Sequence, residues 1–216
     1  MPETLPPCGL YLRIEASPDL SLVVPSIREA AFVMNRSDYE QNMHIMEIDA
    51  HKVARPEVIE GMVQLIKDQG LVALIRGDAQ MALDINADGV LTHSLEEMKA
   101  ARALLAEDKI VGMTCPFDRD LAAQALEAGA DYVLFNDPAA PTMPNVGFFN
   151  WWSTLTDVPA VAQGAITNDN ASVFVKAGAT FLDCSDYVWN HADGIKQGVV
   201  NMLYAIDLAA EKATLN

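Results

Sequence analysis

The stretch Gly129-Ala-Asp-Tyr-Val133 decides the fold, because it has an echo on either side: Asn86-Ala-Asp-Gly-Val90 upstream and Gly178-Ala-Thr-Phe-Leu182 downstream. Each joins the end of a segment of helical period to a short apolar run. Gly or Asn at the first position suits the left-handed residue that closes a helix. The three copies begin 43 and 49 residues apart, a spacing of about two strand-helix units. The pattern therefore places all three on even-numbered strands of one repeating architecture.

Working outward, runs rich in Val, Ile and Leu alternate with longer helical segments along the whole chain. Strands are expected at 9–14, 44–49, 71–75, 89–92, 110–114, 132–135, 160–163 and 181–184. Helical stretches fall at 56–67, 94–105, 118–127 and 168–176, and a last one covers 194–212. Eight such units in 216 residues predict an α/β chain folded as a single-domain (β/α)8 TIM barrel over 1–216. A doubly wound open sheet is the alternative, but it would carry no such regularity from end to end.

The chain has 14 Lys+Arg against 30 Asp+Glu, a net charge of −16. This leaves no basic footprint for nucleic-acid phosphates and excludes DNA and RNA as expected partners. An anionic ligand would be repelled at long range, so a phosphate site must be built locally. Cys8, Cys115 and Cys184 are odd in number and lack CxxC spacing, which argues against a zinc site and fits a reducing compartment. No apolar run is long enough to span a bilayer, and the first residues do not read as a secretory signal. A cytoplasmic protein that does not enter a membrane is expected. His44, His51, His93 and His191 have no metal-ligand spacing. The cluster Phe148-Phe149-Asn150-Trp151-Trp152 reads as packing and as a candidate homodimer face.

From about Leu71 to Val188 the order of motifs resembles thiamine-phosphate synthase and its tautomerase relative TenI. The resemblance is carried by Met81 to Val90, Ile110-Val-Gly-Met-Thr114, Gly129 to Val133, and Val158-Pro-Ala-Val-Ala-Gln-Gly-Ala-Ile-Thr167 with Asn170-Ala171. It implies a barrel that joins hydroxymethylpyrimidine diphosphate to a thiazole phosphate with Mg2+ as cofactor. A phosphorylated small molecule is the implied ligand.

Carried over residue by residue, the resemblance makes Arg76, Thr114 and Thr142 the catalytic positions. Substrate and phosphate contacts fall on Glu47, Asp49, His51, Asn136, Asn145, Gly164, Ala165, Ser185 and Asp186, and the metal ligands on Asp78 and Glu96. The chemistry letters are substituted at several of these. Glu47-Ile48-Asp49 and His51 stand where the family has Gln-Leu-Arg and a Lys. Arg76-Gly77-Asp78 stands for Asn-Asp-Arg, and Asn145 for a Lys. Cys115 has no His near it in sequence and reads as a packed hydrophobe. Two functions follow: a synthase with rebuilt ligands, or a divergent barrel without synthase activity that binds a phosphorylated small molecule in a regulatory role or for another reaction.

Overall fold

The computed structural model describes residues 8–35, 43–50, 55–137 and 144–214. Eight parallel strands close into a barrel in chain order: β1 (Gly9–Glu15), β2 (Ile45–Asp49), β3 (Val72–Arg76), β4 (Gly89–Thr92), β5 (Ile110–Cys115), β6 (Tyr132–Phe135), β7 (Ala160–Gln163) and β8 (Phe181–Asp183). The barrel closes through β1 and β8, which pair in parallel with Gly9 opposite Phe181. The expected strands are all present, with ends shifted by at most one residue.

The helices follow in the connections: α1 (Val24–Met34), α2 (Pro56–Asp68), α3 (Ala79–Asp84), α4 (Leu95–Leu104), α5 (Arg119–Glu127), α6 (Val146–Leu155), α7 (Ala171–Lys176), α8 (Ser185–Trp189) and α9 (Ile195–Thr214). Local chemistry starts three of them. Asp78, Ser94 and Asp118 each accept a backbone N–H from the first turn that follows, as short polar N-caps do. Three helix ends match the sequence motif: Asn86 after α3, Gly129 after α5 and Gly178 after α7 have φ of 53°, 86° and 90°. The repeat is thus a helix stop placed directly before an even-numbered strand.

Strand alternation divides the core in two. Leu10, Leu12 and Ile14 of β1 belong to the layer between barrel and helices, whereas Tyr11 belongs to the barrel interior with Ile45, Leu74, Leu91, Tyr132, Leu134, Val161 and Phe181. Gly112 makes room for Tyr132: a Cβ there would lie 2.1 Å from its ring. The aromatic cluster of α6 is packing. Phe148, Phe149 and Trp152 are buried, and all three rings contact Phe135, with centroids 4.9–5.7 Å apart. Among the described residues no helix is long and apolar enough to cross a membrane.

Candidate active site

Two residues further along each strand from the interior cluster, the inward positions stop being apolar. Successive inward side chains are two apart, so the next ones toward the C-terminal ends are Arg13, Glu47 and then Asp49, Arg76, His93, Thr114, Asn136, Gln163 and Asp183. The mouth is therefore polar where the floor is not. This is the end of the barrel at which such folds place their ligands.

Two hydrogen-bonded groups organise the mouth. In the first, Arg76 Nε donates to Glu47 Oε1 at 2.6 Å, and Tyr11 Oη donates to the other carboxylate oxygen. Tyr132 Oη lies 3.4 Å from Tyr11 Oη. Glu47 is wholly buried and the Arg76 side chain is 12% exposed. Burial pushes the Glu47 carboxyl above its ordinary range, against the pull of Arg76 and Tyr11. Burial alone would weaken the Arg76 charge, and Glu47 more than restores it. Arg76 Nη2 and Thr114 Oγ1, both buried, have no hydrogen-bond partner among the described residues.

In the second group Asp183 is the hub. Its carboxylate accepts from Gln163 Nε2 at 2.6 Å and from both the backbone N–H and the hydroxyl of Ser185, and Arg13 Nε lies 3.8 Å away. Asn136 Nδ2 donates to Gln163 Oε1 at 2.8 Å, extending the chain to β6. Trp189 Nε1 donates to the Arg13 carbonyl, and Arg13 N–H donates to Ser185 Oγ, so α8 fixes the end of β1.

Two cavities border the second group, and the residues of the first line neither of them. One of about 220 Å3 is lined by Arg13, Asn136, Gln163, Gly164, Ala165 and Asp183, among others. Its glycine turn is held from behind by Asn170, which accepts from Thr167 N–H and donates to the Ala165 carbonyl. The second, of about 400 Å3, lies toward α1 and is lined by Arg13, Glu15, Ser26, Asp49, Ser185 and Trp189, among others. Arg13 is the cation shared by both.

The sequence-derived residues divide accordingly. Arg76 and Thr114 both sit at inward positions of the mouth, on β3 and β5, and Asn136, Gly164 and Ala165 line the smaller cavity. Glu47 faces its own arginine rather than a ligand. Asp49 lines the larger cavity. Ser185, expected to offer a donor to phosphate, directs its N–H and hydroxyl to Asp183 instead. Asp186, exposed in the first turn of α8, lines both cavities. Asn145 precedes α6 without capping it through its side chain. His51 and Thr142 lie outside the described residues.

Asp78 and Glu96, the residues to which the resemblance assigns Mg2+, are both exposed. Asp78 caps α3 through its side chain, and Glu96 lies in the first turn of α4. Among the described residues no group of three or more His, Cys, Asp or Glu could hold a metal. At the end of β3 the inward side chain is Arg76, and Gly77 follows it. The free Nη2 donors call for an acceptor oxygen, which a metal ion does not supply. The expected ligands therefore do not fit a metal at this mouth. Burial pushes the Cys115 thiol up to about 12, so it is not a thiolate nucleophile at neutral pH.

Sequence reasoning missed Arg13, Tyr11, Gln163 and Asp183 as members of one polar mouth. A period-two offset from interior residues marks Arg13, Gln163 and Asp183 once the inward face of each strand is known, and Tyr11 is itself an interior residue.

These features define the class: a closed (β/α)8 barrel with a polar, cavity-bearing mouth at the C-terminal strand ends. The profile of the thiamine monophosphate synthase family matches residues 42–184, and the chain belongs to that family. It is similar to the thiamine-phosphate synthase of Erythrobacter litoralis, with 33% identity over 201 residues, 88% of this chain and 92% of that one. It is also similar to that of Rhodospirillum centenum, at 34% over 198 residues, 87% and 92% of the two chains. Among solved structures, a thiamine phosphate pyrophosphorylase from Pyrococcus furiosus superposes with a TM-score of 0.71 at 18% identity, covering 94% of this chain and 96% of that chain. At that identity the likeness speaks to the fold.

Proposed function

We propose that this protein is an active thiamine-phosphate synthase whose mouth handles phosphate charge with arginines. The observation that carries this reading, beside family membership, is the pair of inward guanidiniums, Arg13 and Arg76, at the mouth of a barrel of net charge −16. The chain departs from its family in letters at β2 and β3, and the two guanidiniums, each beside a carboxylate, are the cations that would meet the substrates' phosphates.

In the proposed reaction the bond between the pyrimidine methylene carbon and the diphosphate oxygen breaks, and the electron pair leaves with diphosphate. The thiazole nitrogen lone pair forms the new C–N bond, giving thiamine phosphate and pyrophosphate. Arg76 and Thr114 would hold the departing diphosphate. The smaller cavity, with Arg13 and the Gly164-Ala165 turn, would seat the thiazole phosphate. The resemblance adds Asn145 as a further ligand contact, and His51 and Thr142, which lie outside the described residues. Asp183, Gln163 and Ser185 position Arg13 and need not touch substrate. Asp78 and Glu96 do not fit the Mg2+ that the family implies, so the charge of the diphosphate falls to the guanidiniums. The buried free cysteines Cys8, Cys115 and Cys184 support a cytoplasmic setting.

The test is to incubate the purified protein with both substrates and follow product by chromatography. Thiamine phosphate and pyrophosphate in equal amounts are expected. Tight binding of the thiazole phosphate with no product would favour the divergent, non-synthase reading.

A further inference from the structure

We infer that Arg76 and Thr114 form a diphosphate site that works without a protein-bound metal, a guanidinium having taken the place of the family's carboxylate-held Mg2+. This deepens the reading just proposed and rests on it for the identity of the ligand.

Two buried atoms at the mouth are left without partners among the described residues. Arg76 Nη2 and Thr114 Oγ1 lack partners, although buried polar groups are almost always satisfied. Leaving a charged donor unpaired costs more than leaving a neutral one. Both sit two residues above interior positions, Leu74 and Gly112, so both face the mouth. The missing partner is an acceptor that enters from the mouth, and two donors suit an anionic oxygen best.

Glu47 and Tyr11 make the site specific to an anion. The carboxylate takes Nε of Arg76 and leaves Nη2 directed elsewhere. Tyr11 takes the second carboxylate oxygen, so Glu47 has no open oxygen to offer a cation. A metal held at the end of β3 would need carboxylate oxygens facing it, but Gly77 has no side chain, Asp78 is engaged at its own helix, and the inward Asp49 lies near enough to Arg76 to strengthen the guanidinium's charge. Glu47, itself held by Tyr11, thus fixes the guanidinium through Nε and leaves Nη2 for a ligand.

The experiment is calorimetric titration of the full chain with inorganic pyrophosphate, once in EDTA and once in excess Mg2+. Binding is expected in EDTA, with an affinity no weaker than about one third of that in Mg2+. Because Arg76→Met alone strands a buried Glu47, the paired variant Glu47→Leu/Arg76→Met is used, with its melting curve checked against wild type. It should lose about tenfold or more in affinity under both conditions, the scale of one charge-assisted hydrogen bond. Thr114→Val should lose about threefold or more. Binding only with Mg2+, no binding in either buffer, or a folded paired variant that binds like wild type would each overturn the inference. The two readings fail separately. Turnover by a protein that binds pyrophosphate only with Mg2+ leaves the synthase standing, while Arg76-dependent binding in EDTA without turnover leaves the anion site standing and removes the reaction.

Discussion

Arg76 is the residue on which both stability and chemistry depend. Its partner Glu47 is fully buried, so Arg76→Leu leaves an unpaired carboxylate inside the barrel, and about 3–5 kcal/mol of stability should be lost in denaturant titration. Replacing both members with apolar residues should cost far less, because the burial of charge disappears with the pair. A second residue sets an acid limit. His44 is buried at the foot of β2, where Nδ1 accepts the Leu10 N–H, and burial lowers its pKa to about 4. The folded value lies below the unfolded one, so the contribution is complete above about pH 6.5 and is lost as pH falls toward 4. Roughly 3 kcal/mol is at stake across that window. His44→Asn keeps an acceptor near Leu10 and should flatten the pH dependence of melting between these values. An unchanged slope would remove His44 as its source.

At the scale of elements, the helix stops before β4, β6 and β8 can be tested against each other. Gly129 and Gly178 are both left-handed, so Ala at either incurs a strain of about 1–2 kcal/mol. Only Gly178 is also crowded: a Cβ there would meet the Ser153 Cβ at 2.5 Å, whereas at Gly129 the nearest atom is 3.9 Å away. Gly178→Ala should therefore lower the melting temperature clearly more than Gly129→Ala. Equal losses would mean that α6 gives way freely. These stops are also where the sequence was most legible, since a repeated Gly or Asn before an apolar run has a backbone meaning independent of context. The site was harder to read. Arg76, Thr114 and Gly164 came from family resemblance, but Arg13 did not, because alternation alone does not say which face of a barrel strand looks inward. A charged residue in Gly9–Glu15 looks solvated until Leu10, Leu12 and Ile14 are seen packing against helices.

For the whole molecule the governing number is a net charge of −16. It opposes the approach of phosphorylated substrates from a distance, while the guanidiniums at the mouth act only at close range. Salt screens the first effect more than the second, since the site is partly buried. Raising ionic strength from a low value to about 0.15 M should increase kcat/KM by about twofold, the reverse of an electrostatically steered enzyme. A steady fall with salt would show that the local positive field dominates even at long range.

The central claim is that a synthase mouth has been rebuilt around Arg76. It is tested most directly by measuring thiamine phosphate formation by wild type and by the Glu47→Leu/Arg76→Met variant, matched for folding. The account predicts product from the wild type and a loss of about a hundredfold or more in the variant, the scale seen when a group that stabilises developing charge is removed. Equal turnover by the two proteins, or none by the wild type at high enzyme concentration, would contradict it.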